Sequence, residues 1–163
     1  MLQNKLDEFL VYEDSRVAQD GTTFVLVKDA DSKKLAVSGD TAGFQGEPHA
    51  NSGALLCPLT HENANALRQR LPWLTPVALG VETSFGFGDR LGIATPGHVS
   101  SVRGTVAAPI FAQQSVRENT RTGRTPQQVM DFAMWGVFQT GWREAWGADA
   151  DHMKVVADID PFV

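Results

Sequence analysis

LGVETSFGFGDRLGIATPGH, residues 79–98, is the stretch on which the reading of this chain turns. It opens on a short apolar run and passes into glycines at 86, 88, 92 and 97, with Glu82, Asp89, Arg90 and His98 set among them. An apolar run that ends in a glycine-rich polar loop reads as a buried strand delivering a site-bearing loop. Glycine lets the backbone turn sharply or come close to a ligand. The strand is expected over Thr75–Val81 (TPVALGV). Beyond the loop, Thr95-Pro96 reads as a helix start, with Thr as the cap and Pro at the first helical position, over 95–103. Free N–H groups at that helix start would favour an anion beside the glycines.

Upstream, residues 2–12 are expected to form a short amphipathic helix, with Leu2, Leu6, Phe9 and Leu10 on one face. Thr22–Lys28 (TTFVLVK) and Lys34–Ser38 (KLAVS) are rich in β-branched and apolar residues. The turn chemistry of residues 29–32 makes them a hairpin. Gly39–Gly53 reads as an irregular loop in which His49 is a solvated residue. Thr60 can cap a helix that buries Ala64, Leu67 and Leu71 and stops at Pro72. The expected boundary falls near residue 74. It separates a helix/hairpin/helix region, 1–74, from strand–loop–helix units over 75–163.

Downstream, Val106–Phe111 is a short apolar run, and Gln113, Gln114, Arg117, Glu118, Arg121 and Arg124 follow it. Arginines this close together can clamp a carboxylate through their planar forks of donors. They can equally pair with Glu118 along a solvated helix face. Thr125-Pro126-Gln127-Gln128 is a capping box. Its helix is expected to run to about Trp146, apolar nearly all round, with three of the four tryptophans in the core. WGADADH, 146–152, then places Asp149, Asp151 and His152 at the end of a short strand. Carboxylate and imidazole both suit divalent cations, although this spacing is no established metal motif.

Composition limits the classes. The chain has 163 residues, 42% hydrophobic and 20% charged, which suits one packed domain rather than disorder. A net charge of −5 gives no basic face for nucleic acid. The single Cys57 excludes an internal disulfide, and no run is long and apolar enough to span a bilayer. A cytoplasmic protein is the expectation. Strand–loop–helix units occur about twice where a closed barrel needs eight, so the chain reads as the leading piece of a longer protein.

GFGDRLGIATPGH (86–98) and FAQQSVRENTRTGRTPQQVMDFAMWGVFQTGWREAWGADADH (111–152) resemble the metal-dependent tagaturonate/fructuronate epimerase family of hexuronate metabolism. The resemblance is strong over the second half of the chain and loose over the first. It implies the leading part of a (β/α)8-barrel-like fold and an isomerase acting on a small keto-hexuronate, with a divalent metal cation of unspecified identity. It further implies Asp151 as the base and His152 as a metal ligand. The substrate would meet Arg90, His98, Gln114, Arg117, Arg121 and Arg124, with Asp149, Glu82 and Asp89 as secondary candidates. Adjacent strand residues point to opposite faces. Pairing is therefore expected to stop at or before Asp151, with His152 aimed into the cavity of the glycine loop. Another metal-dependent sugar isomerase or aldolase on an α/β barrel, or a non-catalytic truncated module, remains as an alternative.

Overall fold

A computed structural model describes residues 6–162. Its contacts divide the chain into two units. The first holds the described residues up to Pro72 together with Phe138–Gly141, and the second holds Trp73–Val137 and the residues from Trp142 on.

The first unit is built on an antiparallel sheet in the order β1-β2-β3-β5-β4. Its strands are β1 (Leu10–Gln19), β2 (Thr22–Lys28), β3 (Lys33–Ser38), the two-residue β4 (Glu47–Pro48) and β5 (Leu55–Pro58). The expected hairpin over 22–38 is present. Of the helix expected over 2–12, residues 2–5 lie outside the described residues; residues 6–9 form no helix, and from Leu10 the chain is strand. Asp20-Gly21 explains this. Both residues have positive φ, 49° and 77°, and join paired Gln19 and Thr22 in a two-residue turn. That twist suits a hairpin, so the chain before Asp20 becomes a strand on β2. Ser15 repairs the register shift within β1. Its hydroxyl accepts from the Leu26 N–H at 2.8 Å and donates to the Tyr12 carbonyl at 2.6 Å. Helix α1 (His61–Arg70) begins where expected, with the Thr60 hydroxyl accepting from the Asn63 N–H. Ala64, Leu67 and Leu71 are fully buried.

The second unit holds a three-stranded parallel sheet, β6 (Ser84–Gly88), β7 (Ala108–Ser115) and β8 (Gly147–Asp151), in that order. Helix α2 (Thr95–Val102) links β6 to β7, while α3 (Val116–Thr122) and α4 (Pro126–Gln139) link β7 to β8. The fold is thus mixed α/β, with one antiparallel and one parallel sheet. No strand forms over 75–81. The strand lies further on, in the glycine-bearing segment itself. Ser84-Phe85-Gly86 pairs with β7, and Gly86 leaves room for the Gln113 side chain, whose amide lies where a Cβ would stand.

Two helix ends also differ from expectation. The cap of α2 is Ala94, with Thr95 already inside the helix. Helix α4 stops at Gln139, before Gly141 takes a φ of 61°. Trp142 and Trp146 therefore lie off the helix, yet both are buried with Trp135, as a core role requires. Gly136 allows close approach of α2, because a Cβ there would overlap the Thr95 side chain. Among the described residues no helix is long and apolar enough to cross a membrane.

Candidate functional site

Because β6, β7 and β8 are parallel, their C-terminal ends share one edge of the sheet. The residues that follow each strand meet there. After β6 come Asp89 and Arg90, after β7 come Arg117 and Glu118, and after β8 comes His152.

Asp89 is buried and turned inward. One carboxylate oxygen accepts from the Leu91 N–H at 3.0 Å and the Gly92 N–H at 2.7 Å, and the other accepts from the Ala94 N–H at 2.6 Å. The backbone N–H groups expected to hold a ligand anion beside α2 are thus partly taken by a carboxylate of the chain itself. Gly92 adopts a φ of 74° and sits on Phe132, where a Cβ would come within 2.6 Å of the ring. Arg124 donates to the Asp89 carbonyl at 2.6 Å and lies over the Phe132 ring, 4.9 Å from its centre. Its contacts hold the loop on α4.

The other three arginines gather on Glu118. Arg90 reaches its carboxylate at 3.0 Å, Arg117 at 3.3 Å and Arg121 at 2.8 Å. The Glu118 side chain is 8% exposed, and the guanidinium-bearing side chains are 62–69% exposed. Three guanidinium groups share the one Glu118 carboxylate, so their charge exceeds that of Glu118. Ser115 caps α3 through a hydroxyl that accepts from the Glu118 N–H, which fixes where Glu118 stands.

Beside this cluster, Gln113 pairs with Asp149, and Ser115 with Asp151. The Gln113 amide donates to the Asp149 carboxylate at 2.8 Å. Burial pushes the Asp149 carboxyl above the usual carboxylate range; the Gln113 bond opposes this and the Asp151 charge adds to it. Strand β8 ends at Asp151, and His152 has a φ of 55°. That left-handed residue breaks the alternation that would hold the two side chains apart. The imidazole Nε2 stands 3.3 Å from the Asp151 carboxylate, with His152 71% exposed. His152 opens onto a shallow cavity of about 420 Å³ shared with Ser115, Arg117 and Lys154. The glycine loop is not part of its wall, contrary to expectation.

The remaining candidates lie elsewhere. His98 stacks on Phe87, with ring centres 4.9 Å apart. Burial lowers its pKa, opposed by the charge of Asp89. Gln114 points to the opposite face of β7 from Gln113, into a separate cavity. Glu82 is exposed in the turn before β6. Gln113 and Lys154 are the residues that the sequence reading passed over. Gln113 was visible only as a neighbour of Gln114, and Lys154 only as a cation two places after His152. Among the described residues no three His, Cys, Asp or Glu side chains converge as a metal shell, so Asp151 and His152 make at most part of one.

Residues 12–163 match the family model described as tagaturonate epimerase, UxaE. A tagaturonate/fructuronate epimerase from Thermotoga maritima is 47% identical over 154 residues, covering 91% of this chain and 32% of that protein. The glycerol-complexed crystal structure of the fructuronate-tagaturonate epimerase UxaE from Cohnella laeviribosi superposes with a TM-score of 0.89 at 41% identity. It covers 97% of this chain and 33% of that one. The native crystal structure from the same organism gives 0.86 at 43%, covering 94% and 32%. The chain therefore spans about a third of the length of the relatives it matches.

Proposed function

The chain belongs to the tagaturonate epimerase family, and from that premise we propose that it forms part of an enzyme interconverting D-tagaturonate and D-fructuronate. The observation that carries the placement of the chemistry is the end of β8. There an acid and an imidazole share one site because the backbone turns left-handed between strand and loop.

The two sugars differ at a carbon β to the ketone, where simple enolisation cannot invert the centre. A retro-aldol route can. In this reading Asp151 takes the hydroxyl proton from that carbon. The bond to the carbon beside the ketone breaks, its electron pair passing into the enediolate, and an aldehyde is left. The aldehyde turns over and is attacked again, and Asp151 returns the proton to the new alkoxide. Gln113 holds Asp149 alongside, and the exposed guanidinium groups on Glu118, Arg117 foremost, bind the uronate carboxylate. Arg124 holds the loop rather than the substrate. A divalent cation, when bound, would supply polarisation of the ketone. Two donors do not complete a shell, so His152 is its partial anchor in this chain.

The sequential order β6-β7-β8, with a helical crossover between each pair, is the strand order of a (β/α)8 barrel. Active sites of that fold sit at the C-terminal ends of the strands. That supports a barrel as the architecture of the whole. The test is an assay of the protein at the length of its relatives with tagaturonate, with and without chelator. Fructuronate formation that chelator abolishes is expected. No turnover of tagaturonate would overturn the reaction. Undiminished turnover in chelator would remove the metal from it. Release of free three-carbon products would favour an aldolase.

A further inference from the structure

The proposed reaction uses guanidinium groups at the strand ends and leaves Glu118, the carboxylate they gather on, without a task. Its place is set by α3. The Ser115 hydroxyl accepts from the Glu118 N–H at 3.3 Å at the start of that helix. The Glu118 side chain lies buried, while the three arginine side chains around it stay exposed. Arg90 comes from the loop after β6, and Arg117 and Arg121 come from α3, so one carboxylate joins two segments of the edge. Oε2 faces the Arg90 Nε. Oε1 faces the Arg117 Nε and accepts from the Arg121 Nη1 at 2.8 Å.

A guanidinium carries five N–H donors, and an ionised carboxylate offers about four acceptor sites. Three guanidinium groups therefore bring more than three times the donors that Glu118 can take. The rest are left for water or a ligand. An arginine that is free until a ligand arrives loses its rotamer freedom on binding, which weakens the complex. Three that already rest on a buried carboxylate have lost much of it beforehand. Like charges held this close also repel, and Glu118 offsets that repulsion.

We propose that Glu118 is a positioning residue: it touches no substrate, and it holds Arg90, Arg117 and Arg121 as a preformed clamp for a carboxylate. The inference rests on the epimerase reading, in which that carboxylate is the uronate's. Charge and position here act in opposite directions. By charge alone, removing Glu118 would strengthen the binding of an anion beside it. Loss of position weakens that binding.

The test is the kinetics of Glu118→Gln and Glu118→Asp on tagaturonate, in the protein at the length of its relatives. Glu118→Gln keeps the shape and loses the charge that draws the guanidinium groups in. Glu118→Asp keeps the charge on a side chain one methylene shorter. In both, KM should rise about tenfold or more while kcat stays within about threefold, because the binding lost is common to ground and transition states. A second measurement needs neither variant and decides the matter if they do not fold. In the wild type without substrate, the Nε–H NMR signals of Arg90 and Arg117 should show restricted motion and slow exchange with water. An unchanged or lower KM in Glu118→Gln, a wild-type KM in Glu118→Asp, a fall in kcat at constant KM, or mobile Arg90 and Arg117 signals would overturn the proposal. Any of these, in a wild type that turns tagaturonate over, removes this inference alone. A wild type that leaves tagaturonate untouched removes the epimerase reading and this inference with it.

Discussion

Both carboxylate oxygens of Asp89 are taken up by its own loop. Three backbone N–H groups, of Leu91, Gly92 and Ala94, converge on them. In Asp89→Asn only one oxygen remains to accept, so at least one of these part-buried N–H groups loses its partner. The variant should be less stable by about 1–3 kcal/mol, read from the urea midpoint, and amide exchange over residues 91–94 should quicken. An unchanged midpoint would mean that the loop holds without the carboxylate. The sequence marked Asp89 as polar and near glycines, but not which way it faced. A carboxylate suited to a ligand is equally suited to capping N–H groups, and only the turn at Gly92 decides between them. Gln113 was illegible for the opposite reason. Its role depends on a missing Cβ at Gly86 and a carboxylate 36 residues away, and neither shows in local sequence.

Elements were most legible where a side chain closes its own helix end. The Thr125 hydroxyl accepts from the Gln128 N–H at 3.1 Å, and the Gln128 amide oxygen accepts from the Thr125 N–H at 2.9 Å. That is the reciprocal box the sequence announced. Thr125→Ala should cost about 1 kcal/mol, measured by denaturant unfolding. A loss near zero would mean that packing of Ala133, Met134 and Val137 alone sets the start of α4. Periodicity failed where two patterns overlapped. Leu2, Leu6, Phe9 and Leu10 fit a helical face, but Asp20-Gly21 fixes a tight turn that recruits Leu10–Gln19 as a strand. The turn dipeptide outweighs the stripe, because a partnered strand gains a full ladder of backbone bonds while an exposed short helix gains little. TPVALGV failed for another reason. Its apolar residues do not lie in a ladder, although the Val77 N–H donates to the carbonyl of Trp146. Strand pairing begins later, at Ser84.

At the scale of the molecule, the parallel sheet is what makes a site possible. It brings three strand ends to one edge, although they are separated by some sixty residues of sequence from Gly88 to Asp151. Arg90 and Glu118 meet only for that reason. The family was legible in the sequence because its long strings around residues 86–98 and 111–152 are distinctive. The clustering of Arg90, Arg117 and Arg121 on one buried carboxylate was not, since the same residues also read as a solvated helix face. In the proposed reaction Asp151 and His152 would divide base and metal-holding roles at the end of β8, a division with a direct test. It is tested by measuring metal content and kcat together on Asp151→Asn and His152→Ala, in the protein at the length of its relatives. Asp151→Asn should keep the metal and lose about 100-fold or more in kcat, because an amide cannot take the hydroxyl proton. His152→Ala should lose metal affinity and regain part of its activity in excess cation. Loss of metal in Asp151→Asn with retention in His152→Ala would reverse the two roles. Two variants with unaltered metal content and kcat would contradict the account and place the chemistry elsewhere.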